Sequence, residues 1–177
     1  MNGAFQMRSR LIGACAISIS IAAQAEASST TYAKVGPWEI SAEAPRCIMQ
    51  GLFGSKGDKK VDGLTILYAA DKGGVLIVWS NNWMTHLPAK GELNVGLVFG
   101  RGMALDQSWG SSNLAYEKVG NEYLFTRAFT DPKSADKVLD DFAESQVMGL
   151  TSGAALLKSF KLDASEAVKK LRECSEG

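Results

Sequence analysis

From Trp38 to Phe129 the chain carries short β-rich runs, some alternating apolar and polar and some mostly apolar, and apolar residues recur at a spacing of three or four in two late stretches. W-E-I-S at Trp38–Ser41 alternates and predicts a strand. R-C-I-M-Q-G-L-F at Arg46–Phe53 is mostly apolar and predicts a second, which carries Cys47. L-T-I-L-Y-A-A at Leu64–Ala70 and V-L-I-V-W-S at Val75–Ser80 flank D-K-G-G. Two β-rich runs around a short Gly-containing loop predict a hairpin. E-L-N-V-G-L-V-F at Glu92–Phe99 alternates again. L-A-Y-E-K at Leu114–Lys118 and E-Y-L-F-T-R-A-F at Glu122–Phe129 surround V-G-N and predict a second hairpin. Residues 28–34 are small and polar and read as a flexible leader.

After Phe129 the period changes. D-P-K-S at Asp131–Ser134 offers an N-cap followed by proline at the first helical position, and Ala135, Val138, Leu139 and Phe142 follow at helical spacing. The helix is expected to end near Gln146. V-M-G-L at Val147–Leu150 and A-L-L-K-S-F at Ala155–Phe160 predict strands around T-S-G. A last helix is expected from about Ala164, with Asp163 and Glu166 at capping-box spacing. Ala164, Ala167, Val168, Leu171 and Cys174 fall on one face of it.

About eight strands and two short helices place the chain in a mainly β (α+β) class. The expected architecture is an antiparallel β-sandwich or a partly open barrel, with the helices at an edge or end and the last one C-terminal. No βαβα alternation is present, so a parallel doubly wound sheet is disfavoured, and there is no internal repeat.

The first residues have a different character. Arg8 and Arg10 precede an uncharged run from Leu11 to Ala23, and A-Q-A and A-E-A follow at Ala23–Ala25 and Ala25–Ala27. A basic start, a short apolar stretch and small residues at the end have the form of a cleaved secretory signal. The run of about 13 residues is short of the roughly 20 that span a bilayer as a helix. The competing reading is L-I-G-A-C at Leu11–Cys15 as a lipobox. It would leave only Leu11–Ala14 between Arg10 and the cut, too little for an apolar core, and a hydrophobic tail on the product. The expectation is a signal over residues 1–25 and one β-rich domain over 26–177, with no stable membrane anchor.

Removal of that segment takes Cys15 with it and leaves Cys47 and Cys174. In an oxidising compartment an even pair reads as a disulfide, closing a long loop worth about 4–5 kcal/mol in the chain-entropy model. About 150 residues suffice for one domain with a proper core. The sequence has 19 basic and 19 acidic residues, so losing Arg8 and Arg10 leaves the product slightly acidic. Nucleic acid is not an expected partner, because its footprint is a basic stripe. The densest basic stretch, S-K-G-D-K-K at Ser55–Lys60, reads as a solvated loop.

Groups for catalysis are scarce. The single histidine, His86 in W-M-T-H-L-P, would need an activated serine beside it, and no G-x-S-x-G elbow is present; it reads as a loop residue. One histidine and two bridged cysteines cannot fill the three or four positions of a zinc site without unusual carboxylate help, and an unpaired low-pKa thiol is not expected. Asp140 and Asp141 are adjacent on a helix and diverge, while Asp58, Asp62 and Asp106 read as lying in or near loops. Neither a P-loop nor a dinucleotide fingerprint occurs, so no cofactor or metal is expected.

The tryptophans remain. Trp38 and Trp79 lie in predicted strands and read as core. Trp83 is open to either role. Trp109, in the Gly-Ser-rich D-Q-S-W-G-S-S-N, reads as a loop aromatic available to a partner, and Trp109 and Trp83 are the candidate binding residues.

G-P-W-E-I near the start, C-I-M-Q shortly after it, and the ending L-D-A-S-E-A-V-K-K-L-R-E-C resemble small exported alphaproteobacterial proteins related to invasion-associated locus B protein. Where those relatives commonly have a cysteine soon after the first tryptophan, this chain has S-A-E-A. The resemblance implies a periplasmic or secreted β-rich domain without known catalytic residues. The expected function is non-enzymatic: binding a protein or an envelope component, or association with the envelope. A cell-envelope hydrolase working through carboxylates, and a secreted inhibitor of another enzyme, are the alternatives.

Overall fold

The computed structural model describes residues 30–43, 45–54, 59–69, 73–102, 105 and 107–176. Arg8, Arg10, Cys15 and the positions of the expected cleavage, together with Asp58 and Asp106, lie outside the described residues. Among the described residues ten strands form one antiparallel sheet, where the pattern predicts about eight. Strands β1 (Thr30–Val35), β2 (Trp38–Glu43), β3 (Arg46–Phe53), β4 (Asp62–Ala69) and β5 (Gly74–Asn81) meander in sequence order. Strands β6 (Lys90–Gly100), β7 (Gln107–Val119) and β8 (Glu122–Phe129) form a second meander, which joins the first through β8 against β5. Helix α1 (Pro132–Glu144) follows, then β9 (Val147–Ser152) against β6, β10 (Ala155–Lys161), and helix α2 (Ser165–Glu176).

The sheet curls into a half-barrel. Phe53 on β3 meets Phe160 on β10 with ring centroids 5.2 Å apart, and Lys158 on β10 reaches Asp62 on β4 at 2.6 Å. Strand β5 shows why the residues fold this way: Val75, Ile77, Trp79 and Asn81 are buried, and the positions between them are partly open. Period-2 alternation on a sheet with one covered face gives this pattern. Each large apolar side chain so buried contributes about 1.5–3 kcal/mol. Trp38 lies over Gly51 of the neighbouring strand, where an added Cβ would come within 2.9 Å of the indole. That glycine is required for close approach.

Helix α1 closes the concave side. Asp131 caps it, accepting from the Ser134 N–H at 2.9 Å and the Ser134 hydroxyl at 2.8 Å, and these bonds hold its carboxyl below the usual range. Ala135, Val138, Leu139 and Phe142 are buried as the spacing predicts. Phe142 sets its ring edge-on to Trp38 of β2 and Phe99 of β6, so the helix ties the two halves of the sheet together. It ends at Glu144, ahead of the predicted Gln146, with the Ser145 N–H bonded to the Asp141 carbonyl.

Helix α2 buries Ala167, Val168 and Leu171 against α1 and strands β1 to β3. It begins at Ser165, and the Ala164 carbonyl accepts from the Val168 N–H, so the cap falls one residue beyond Asp163. Cys174 comes to Cys47 as a disulfide with a Cα–Cα distance of 6.1 Å. The expected leader is corrected in part: Thr30–Val35 is an edge strand paired with β2. Its side chains are mostly exposed, so backbone pairing builds it and no apolar alternation marks it. The two-residue turn Gly36–Pro37, with Gly36 at φ +54, was its only signature.

Candidate functional site

Strand β7 runs well beyond the predicted Leu114–Lys118, and Trp109 sits within it, not in a loop. In the pairing with β6, Gly96 faces Ser111 and Val98 faces Ser108, so Trp109 and Gly110 together oppose Leu97. This is a β-bulge with Gly110 at φ +65, which side chains larger than hydrogen adopt only with strain. A bulge bends its strand and re-aims the side chain that it carries.

The bend is accompanied by a split in the sheet. Pairing between β7 and β8 runs from Val119↔Glu122 to Ala115↔Thr126 and stops. Beyond that point β7 follows β6 and β8 follows β5. A cleft of about 460 Å³ occupies the gap, with Trp109, Ser112 and Asn113 on one side, Arg127 and Phe129 on the other, and Ser134 of α1 at its end. A smaller recess of about 260 Å³ shares Trp109 and Ser134 and adds Ser108, Lys133 and Lys137. These volumes suit a small ligand or one segment of a polymer.

Arg127 bridges the split. Its guanidinium donates to the Trp109 carbonyl at 2.7 Å and the Gly110 carbonyl at 3.2 Å, and lies 5.1 Å over the Phe129 ring. These bonds satisfy β7 carbonyls beyond the point where its ladder with β8 stops. Burial lowers its pKa from the ordinary arginine value, because desolvation disfavours the charged form. Trp109 is held from several directions: its indole N–H donates to Asp141 at 2.7 Å, its ring meets Phe129 edge-on, and the Lys137 ammonium lies 5.3 Å from the ring centroid. Asp141 also pairs with Lys137 at 3.1 Å. The neighbouring Asp140 points elsewhere, to Arg172 on α2, so the two carboxylates diverge as their adjacency implies.

Trp83 lies apart from this cleft. Its indole N–H and that of Trp79 both donate to Oδ1 of Asp62, at 3.0 and 2.9 Å. Asp62 is fully buried, and its Oδ2 has no aligned hydrogen-bond donor, only the Lys158 ammonium at 2.6 Å. Reading Asp62 as a loop residue is therefore corrected: it opens β4 on the inner face. The signal was present, since Asp62, Leu64 and Ile66 are in phase. Both candidate tryptophans thus spend their N–H groups on an Asp–Lys pair, and the structure does not bring them together.

His86 is exposed in the turn between β5 and β6. Its replacement by alanine is expected to change stability by less than about 0.5 kcal/mol in urea unfolding. A larger loss would reveal a contact that its exposed position does not provide. The disulfide pair Cys47–Cys174 is at the other end of β3 from the Asp62 cluster, and among the described residues no group of three or more His, Cys, Asp or Glu side chains is arranged to hold a metal ion. No family model, curated protein or solved structure matches the chain.

Proposed function

We propose that this chain is an exported, non-enzymatic binding domain of the bacterial envelope, and that its ligand seats in the cleft between β7 and β8. The observation that carries this reading is the split itself: β7 and β8 part company short of a glycine bulge and leave a cleft with an arginine across it. Irregularities of this kind concentrate at sites where a side chain must be re-aimed. Trp109, nominated from sequence as a loop aromatic, contributes its ring to that cleft as a fixed wall.

Placement in the periplasm or outside the cell is supported by the disulfide between Cys47 and Cys174 and by the signal-like first residues. The likeness of the chain's ends to relatives of invasion-associated locus B protein favours the same compartment. No helix among the described residues is long and apolar enough to cross a membrane. An envelope hydrolase would place a pair of carboxylates in the cleft. Here the described lining is cationic, hydroxylic and aromatic, and the buried Asp62 is enclosed by two indoles and a lysine. That composition weighs for binding.

Titration of the isotopically labelled exported domain with fractionated envelope material, followed by amide NMR, tests the proposal. Shifts are expected to cluster on Ser108, the Trp109 indole, Asn113 and Ser134, with the ligand recovered at unchanged mass. Shifts confined to other surfaces, or a cleaved ligand, would overturn it.

A further inference from the structure

The charge of the cleft narrows its ligand, an inference that rests on reading the cleft as a binding site. Among the described residues Arg127 and Lys133 take part in no ion pair. Arg127 uses part of its five-donor fork on the β7 carbonyls, and its other N–H groups bond no described protein acceptor. The two carboxylates bonded to residues of the cleft are already engaged. Asp141 takes the Trp109 N–H and Lys137, and Asp131 takes the Ser134 N–H and hydroxyl. No carboxylate lines the cleft or the recess among the described residues, so the charged side chains of the lining, Arg127 in the cleft and Lys133 and Lys137 in the recess, are all cationic.

The polar uncharged groups add a second requirement. Ser112 lines the cleft, and its hydroxyl oxygen is buried with no hydrogen-bond partner. A hydroxyl left in that state costs free energy until something bonds to it. Asn113 on β7 and Thr126 on β8 line the cleft from its two sides. The site therefore asks for an anion that also carries hydroxyl groups.

We propose that the cleft binds an acidic sugar, a pyranose bearing a carboxylate, either free or as one unit of a polymer. Arginine presents a planar fork that matches a carboxylate, and lysine offers a point charge. Arg127 receives the carboxylate, Ser112, Asn113 and Thr126 meet ring hydroxyls, and Lys133 in the adjoining recess receives the next unit's charge, Lys137 being held by Asp141.

The test is NMR titration of the labelled exported domain with four probes: a galacturonate trimer, galacturonate, a neutral galactose trimer and inorganic phosphate. The acidic trimer is expected to shift the Trp109, Ser112 and Arg127 signals and to bind about tenfold or more tightly than the neutral trimer. Its affinity should fall with added salt. Lys133→Glu, an exposed change at the recess, should weaken the trimer about tenfold while the unliganded spectrum stays native. Tighter binding of the trimer than of galacturonate assigns the site to a polymer, and equal binding assigns it to the free acid. If the neutral trimer binds the cleft as well as the acidic one, the acidic class falls and the binding cleft stands. If phosphate alone matches the trimer, the sugar requirement falls. If the acids shift no cleft signal while envelope fractions do, this ligand class is wrong; if neither does, the cleft reading is wrong as well.

Discussion

Asp62→Ala is expected to lower the unfolding free energy by about 3–5 kcal/mol, the range for removing one partner of a buried ion pair. The carboxylate is fully buried and gathers two indole N–H groups on one oxygen and an ammonium at the other. Hydrogen bonds to a charged acceptor contribute about 1.5–3 kcal/mol each, so the two indoles account for most of the loss. Lys158 is 31% exposed at its side chain and can turn to water, which reduces its share. Asp62→Asn keeps the shape and one acceptor oxygen but points an amide toward the ammonium, and its expected loss is smaller, about 1–3 kcal/mol. Urea unfolding followed by tryptophan fluorescence measures both, because Trp79 and Trp83 report on the site directly. A loss below about 1 kcal/mol for alanine would mean that the cluster does not hold β10 against β4.

This cluster also marks where the sequence was legible and where it was not. Strand β3 and strand β8 have the bounds that their apolar runs predict, and α1 has its cap, its proline and its buried face where expected. Those elements announce themselves because a covered face imposes a period on the side chains. Strand β1 is an exposed edge held by backbone bonds, so its side chains carry no such period. Only Leu114–Lys118 of strand β7 is legible, because Gly110 and its serines have turn-like composition, although an isolated glycine inside a strand also signals a bulge. The candidate site divides in the same way. Trp109 was found as an aromatic among small polar residues, but Arg127 was hidden inside a strand and Lys133 and Lys137 on a helix. The split between β7 and β8, a long-range feature of pairing, brings Trp109 and Arg127 to one cleft, and α1 adds Lys133 and Lys137 in the recess beside it.

Replacing both Cys47 and Cys174 with serine is expected to lower stability by about 2–5 kcal/mol, as for a native disulfide of a small secreted domain. The bridge spans a sequence separation of 127 residues, so opening it releases much chain entropy to the unfolded state. Helix α2 is the element most exposed to the change. It has 12 residues, and an isolated helix of that length is marginal in water. Its buried residues are Ala167, Val168 and Leu171, a thin stripe, and its polar attachment to α1 is Arg172, which donates to Asp140 at 2.7 Å. Strands β3 to β5 and β8, by contrast, bury large side chains such as Met49, Ile66, Trp79 and Phe125. Loss should therefore be local first: residues 165–176 should exchange their amide protons and admit protease before the strands do. Hydrogen exchange resolved by residue, on the oxidised protein and the double serine variant, distinguishes the outcomes. Uniformly faster exchange through sheet and helix would show that the bridge acts only on global stability, and equal protection of α2 in both proteins would show that packing alone docks it.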